Sequence, residues 1–327
     1  MGEFLEQEKQ RQIALKGHGH VFSAQAREPG VYRRKPRDFC LPLEHAAENL
    51  APDIRDQAIV YFMRNKIKWH DGRTEKPSNH LCSSQVCCVN FLYPFADKPQ
   101  ALVELLRPIY PKIRQALPIE DDHLVAFEWI GEKNYLKEKM RGDKRTRGAY
   151  FTSADAAVLF ERTDGLRQMV LIEWKYTESY GGQYLAVSKS GTSRVDIYRH
   201  LVEDSTCPLV MDRVEDFENL FYEPFYQFMR QQLLAHKMEQ AREKNAAVVS
   251  VLHIEPGLNQ EFQRITSPGL RGVGNSAVEV WKRLLKNQDG FESVTTERLF
   301  GGLGAHPQLQ SWWSYILERY STLIRAV

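Results

Sequence analysis

Residues 150–178 read YFTSADAAVLFERTDGLRQMVLIEWKYTE, and the fold turns on this stretch. Two apolar runs, 154–160 and 169–176, flank a polar link, 161–168, that contains Asp164-Gly165. An Asp-Gly pair between runs rich in β-branched residues is a turn signal, so the stretch is expected to form a β-hairpin. Charges sit where the apolar neighbours predict none. Asp155 opens the first strand, and Glu173-Trp174-Lys175 interrupts the second. Side chains alternate along a strand, which puts Glu173 and Lys175 on one face and Ile172, Trp174 and Tyr176 on the other.

The run VLI before Glu173 implies strands covered on both faces, where an acid and a base are costly without a partner or a metal. Phosphodiester hydrolysis is one chemistry that needs such a set, because a metal ion both neutralises the phosphate and generates the nucleophile at neutral pH. Mg2+ is held by one or two carboxylates together with water and substrate oxygens. Asp155 and Glu173 are the candidate carboxylates, and the Trp174 backbone carbonyl is a further candidate ligand. Lys175 is placed to stabilise charge developing on the phosphate. The plainer alternative is a surface salt bridge on a half-exposed sheet, since Glu-x-Lys alone is common.

Upstream, 124–130 (LVAFEWI) reads as a buried strand with one acid, Glu128, a lesser candidate for the metal shell. Between it and the hairpin lies KNYLKEKMRGDKRTRG, the densest basic stretch of the chain. Taken alone it reads as a solvated loop. Directly before a carboxylate-bearing strand, its Lys139, Arg141, Lys144, Arg145 and Arg147 become candidates for gripping a phosphate backbone. Downstream, a helix over 224–244 starts at Pro224, a favoured first helical residue. Gln227 and Gln231 lie i, i+4 beside its apolar stripe, where their amides reach either a ligand or water. A buried strand over 246–254, a helix over 276–286, a strand over 291–299 and a helix over 308–324 complete the chain.

Towards the N-terminus, a short polar helix opens the chain, and the basic patch RRKPR (33–37) reads as a solvated arm in preference to a phosphate contact. A helix is expected from an Asp53 N-cap to about Trp69, another over 79–95, and a third over 100–117 bent at Pro108. Within 79–95 the polar Ser83, Ser84, Gln85 and Asn90 are unusual in so apolar a run. They read equally as a helix–helix hydrogen-bond network or as support near an active site.

The order Asp155, hairpin link, Glu173-x-Lys175 resembles the PD-(D/E)XK nuclease superfamily, which has the restriction-endonuclease-like fold. The order helix, strand 124–130, strand 154–160, strand 169–176, helix 224–244, strand 246–254 is similar to that family's αβββαβ core, over roughly residues 100–255. The resemblance implies Asp155 and Glu173 as metal ligands and Lys175 as the catalytic lysine. Ala154 stands where many members have Pro, a departure that others share. Some members add an acid from the first core helix, for which the candidates are Glu104, or Ser84 and Gln85 if the earlier helix is the equivalent one. RecB-like members carry Gln-x-x-x-Tyr on the helix after the motif, and Gln227-x-x-x-Gln231 matches this in part. The SSQ…NF and SADAAVLF…IEWKY segments together also resemble a group of uncharacterised bacterial restriction endonucleases.

Composition sets the outer bounds. The chain has 327 residues, 43% hydrophobic and 26% charged, so a folded globular protein is expected rather than a disordered one. A net charge of +2 excludes a uniformly basic coat but permits a local basic groove. No stretch reaches the roughly 20 apolar residues that span a bilayer, and the N-terminus has no apolar core of a secretory signal. The Cys87-Cys88 pair inside an apolar run suits reduced core thiols, hence a cytoplasmic setting. The fold expected is α/β (α+β), a mixed central sheet flanked by helices. Residues 1–98 form an N-terminal arm and helical additions, and 99–327 the nuclease-like domain. The function expected is Mg2+-dependent hydrolysis of DNA, with Mn2+ as a substitute, by an endonuclease of restriction, defence or repair type. A homodimer would suit an enzyme that cuts both strands. The competing class is a non-catalytic nucleic-acid-binding or assembly module that keeps the fold.

Overall fold

The computed structural model describes residues 2–138, 145–148, 151–188 and 191–324. At its centre is the expected hairpin, β5 (Ala154–Arg162) and β6 (Arg167–Trp174), paired antiparallel from Ala156↔Ile172 to Glu161↔Arg167. Gly165 takes a φ of +80° at the turn, a conformation open to glycine and strained for other residues.

The sheet grows outward on both sides of this hairpin. β3 (Ile113–Leu117) and β4 (Val125–Trp129) pair antiparallel with successive halves of the free edge of β5. On the far side, β7 (Val248–Glu255) runs parallel to β6, and β8 (Phe291–Thr295) runs parallel to β7. The result is a six-stranded mixed sheet. A separate two-stranded hairpin, β1 (Gly30–Tyr32) and β2 (Lys35–Arg37), lies near the N-terminus.

Alternation along β5, β6 and β7 fills two cores. One face sends Val158, Phe160, Val170, Ile172, Trp174 and Ile254 into a cluster with α2 (Arg55–Arg64), α3 (Ser84–Leu92), α4 (Pro99–Leu106) and α9 (Gln310–Arg319). The other sends Ala157, Leu159, Met169, Leu171 and Val251 against α5 (Val195–Val202), α6 (Phe225–Gln240) and α7 (Ala277–Leu284). Helices therefore cover both faces, which is why these strands are near-continuously apolar. Helix α1 (Glu3–His18) carries almost no amphipathic pattern, yet Glu8 accepts the Tyr176 hydroxyl at 2.7 Å and Gln12 donates to Arg319 O at 3.2 Å. This polar network ties the N-terminal helix to the residue just after the Glu-x-Lys pair. The five cysteines are buried and free. Among the described residues no helix is long and apolar enough to cross a membrane.

Several boundaries differ from the sequence reading. The expected helix over 100–117 stops at Leu106, and 113–117 is instead the edge strand β3. Pro108 and Pro111 cannot continue a helix, and pairing with β5 decides the rest. The helix expected from Asp53 to Trp69 spans only Arg55–Arg64, and its N-cap residue is Ile54, without a side-chain cap. Trp69 lies beyond it and stacks on Phe62 with ring centroids 3.9 Å apart. The helix expected over 79–95 starts at Ser84, where Ser83 caps it by accepting from Val86 N. Pro224 precedes rather than begins α6. The last strand ends at Thr295, whose hydroxyl caps α8 (Thr296–Phe300).

Candidate active site

The carboxyl ends of β4, β6 and β7 and the start of β5 meet at one edge of the sheet, the position where open α/β sheets bind ligands. A cleft of about 560 Å3 opens there, lined by Glu128, Asp155, Glu173, Trp174 and Lys175 among others.

Glu173 is 2% exposed and is held by three donors. Lys175 Nζ donates to its Oε1 at 2.5 Å, and Gln227 Nε2 to the same oxygen at 2.6 Å. Gln231 Nε2 donates to Oε2 at 2.8 Å. The i, i+4 spacing of the two glutamines therefore serves one carboxylate. Tyr180 extends the chain, its hydroxyl donating to Gln227 Oε1 at 3.2 Å. Burial by itself would pull the Lys175 ammonium down, but Glu173, with Tyr180, Glu178 and Asp155 behind it, holds it well above the ordinary lysine value. Lys175 is a cation at any physiological pH.

Asp155 lies one position beyond the last paired residues of the hairpin, Ala156 and Ile172. Its Oδ2 accepts from the Trp174 backbone N–H at 2.7 Å, so it grips the residue between Glu173 and Lys175. Burial raises its carboxyl well above the usual range, and Glu173 and Glu128 add to this while Lys175 opposes it.

Glu128 is the strained member. It has a φ of +50° inside β4, and the register passes over it, with Phe127 paired to Ala156 and Trp129 to Ala154. A left-handed backbone at a residue with a Cβ costs about 1–2 kcal/mol, and such residues cluster at functional sites. The turned carboxylate accepts from Gln85 Nε2 at 2.7 Å and from Ser153 Oγ at 2.9 Å. Burial raises its pKa against these two donors. Gln85 also fixes the 68–70 segment, donating to Lys68 O at 3.1 Å and accepting from His70 N at 2.7 Å. Ser84, beside it at the start of α3, donates to the Trp174 carbonyl at 3.4 Å.

Ser84 and Gln85 therefore reach the cleft from α3, whereas Glu104 is exposed on α4 and bonds Gln100 at 2.9 Å. Of the basic loop, Lys139, Arg141 and Lys144 lie outside the described residues. Arg145 donates to the carbonyls of Gly131, at 3.0 Å, and Ile130. Arg147 donates to the Phe127 and Glu128 carbonyls and pairs with Glu120 at 2.6 Å. Both guanidiniums brace the end of β4.

Ser153, Tyr180, His253 and Glu255 escape the sequence reading. His253 pairs with Glu173 in the β6–β7 register, and burial, with Lys175 nearby, lowers it to about 3. Glu255, two residues on, is raised to about 7 by burial, with Gln263 opposing. The signal was present in VVSVLHIE, where two ionisable residues at i, i+2 interrupt an apolar strand.

The donor set is all oxygen, which suits a hard cation such as Mg2+. Four carboxylates, Glu128, Asp155, Glu173 and Glu178, line the cleft, where Lys175 is the one ammonium among the described residues; beside burial, repulsion from Glu173 contributes to the raised Asp155 and Glu128. A dication would relieve it. Among the described residues no group of three or more His, Cys, Asp or Glu side chains is gathered to hold a metal.

A mixed sheet flanked by helices, with an acid and a Glu-x-Lys pair at the carboxyl edge of a central hairpin, defines a restriction-endonuclease-like fold and a nuclease-like protein. The chain belongs to the family described as "Restriction Endonuclease associating with ARP", which it matches over residues 8–321. Neither the curated proteins nor the solved structures contain a match to it.

Proposed function

We propose that this protein is a Mg2+-dependent nuclease that hydrolyses phosphodiester bonds of DNA, with Asp155, Glu173 and Lys175 as its catalytic residues. The observation that carries the reading is the Glu173–Lys175 pair, buried at 2.5 Å in the same cleft as Asp155. A buried ion pair contributes little net stability over apolar residues of similar size, so its presence favours a chemical role. Asp155, Glu173 and the Trp174 carbonyl would hold the metal, with Glu128 close by. Bound there, Mg2+ would supply neutralising charge for the phosphate and acidify the attacking water. Lys175 would stabilise the charge that builds on the phosphate oxygens. Gln227 and Gln231 would keep the Glu173 carboxylate aimed, and Gln85 with Ser153 would do the same for Glu128.

Lys139, Arg141 and Lys144 remain candidates for contacting backbone phosphates. Arg145 and Arg147 would act by bracing the wall that carries Glu128. A homodimer would bring two such sites to one duplex. The test is incubation of purified protein with circular and linear DNA in Mg2+ or Mn2+. Nicking or linearising of the circle is the result expected of an endonuclease, and no cleavage of either form in either metal contradicts the reading.

One observation favours a second reading. Both Glu173 oxygens already carry donors from Lys175, Gln227 and Gln231, as they would in a carboxylate that needs no cation. A non-catalytic module that keeps the fold would bind DNA in a salt-sensitive way and leave it uncut with every metal.

A further inference from the structure

Tyr32, which lines the cleft, belongs to a basic hairpin far in sequence from the 133–148 segment. In the β1–β2 hairpin Tyr32 pairs with Lys35, which leaves Arg33 and Arg34 as a two-residue turn. Both take left-handed backbone angles, with φ of +50° and +63°. A two-residue turn of this kind favours Asn-Gly, and side chains with a Cβ are strained at both positions. Arginine is therefore kept here against the local preference.

Among the described residues these charges have no acidic partner. Arg33, Arg34, Lys35 and Arg37 are exposed, and among the described residues none of them forms an ion pair. Their contacts are aromatic: Arg33 lies 5.2 Å from the centroid of the Tyr32 ring and Arg37 5.9 Å from that of Phe39. The root of the hairpin is fixed. Gly30 N donates to Cys40 O at 3.0 Å, Leu41 N to Asn79 O at 2.9 Å, and the Asn79 side chain to Leu41 O at 2.6 Å. Tyr32 packs edge-on against His80, with centroids 5.1 Å apart, and lines the same cleft as Asp155, Glu173 and Lys175. Phe151, from the segment after the basic loop, lines that cleft too and has Arg145 5.6 Å from its centroid. The cleft is thus bordered twice by an aromatic ring with an arginine over it.

We propose that the 30–37 hairpin is a clamp for the sugar–phosphate backbone of nucleic acid entering the cleft, with Arg33, Arg34, Lys35 and Arg37 supplying the charge and Tyr32 a packing surface. The proposal rests on the nuclease reading above. Guanidinium groups match phosphate geometry, each neutralised phosphate releases counterions, and aromatic rings accept sugars and bases without sequence preference. A merely solvated arm accounts for the exposure. It accounts neither for arginine at both strained turn positions nor for Tyr32 in the cleft.

The test replaces Arg33→Asn together with Arg34→Gly in the full chain, a pair that relaxes the turn. The melting temperature should hold or rise. Binding of a short labelled DNA duplex, followed by anisotropy in EDTA, should weaken roughly tenfold near physiological salt, with the slope of log K against log salt shallower by about two. Unchanged affinity and slope in the variant, beside a wild type that binds and cuts DNA, overturns the clamp and leaves the nuclease reading standing. A wild type that neither binds nor cuts DNA overturns both.

Discussion

The backbone N–H of Trp174 donates to Asp155 Oδ2 at 2.7 Å, so the residue between Glu173 and Lys175 is held by the third member of the set. One hydrogen bond thereby fixes the spacing of two strands' worth of chemistry. It also locates Asp155 in a buried position where its carboxyl is raised by burial and by its acidic neighbours.

An amide at position 155 can accept the same bond while removing the charge. Asp155→Asn should therefore fold normally and lose cleavage. Mg2+ should raise the melting temperature of the wild type, because it binds only the folded state, and should leave that of the variant unmoved. Equal metal-induced shifts in the two proteins would remove Asp155 from the metal site.

Gln231 reaches Glu173 Oε2 from a residue 58 positions along the chain and is 2% exposed. Gln231→Leu strips that oxygen of its donor, at a cost of about 1–3 kcal/mol for the buried group left unpaired. Activity should fall roughly 10–100-fold, the scale seen when a supporting contact to a metal ligand is lost. Urea titration and initial rates measure the two effects separately. A variant of wild-type stability and rate would show that the contact positions nothing.

How much of this was open to the sequence depends on range. The hairpin, its turn and the split of Glu173 and Lys175 from Trp174 follow from a two-residue period and an Asp-Gly pair, both local. β3 did not: Arg114 and Gln115 are exposed on an edge strand, so 113–117 shows no alternation strong enough to compete with a helical reading. Only pairing with β5 makes it a strand. Gln227 and Gln231 were visible as a pair, but their target lies across the fold. Glu128 was visible as an acid in an apolar strand. Its turned backbone was not, because left-handed angles are signalled by glycine or asparagine and here the residue is glutamate.

Glu255 sets a pH dependence. Its folded value of about 7 lies above the ordinary 4.5 because of burial, with Glu297 adding and Gln263 and Lys175 opposing. A carboxyl raised on folding contributes stability that is complete below the unfolded value and is lost as pH rises through the folded one. Between pH 4.5 and about 7 the wild type should lose stability relative to Glu255→Gln, by about 3 kcal/mol at most. Denaturant melts of both proteins across this window check the sign. A difference that is flat with pH would show that Glu255 titrates normally.

The most direct test of the account is cleavage of supercoiled DNA in Mg2+ by the wild type and by Lys175→Ala. Gln227 and Gln231 still hold Glu173 in the variant, so its circular dichroism spectrum should match the wild type. Cleavage by the wild type that vanishes in a folded Lys175→Ala protein is the result predicted. Equal cleavage by the two proteins would contradict the role assigned to the buried Glu173–Lys175 pair.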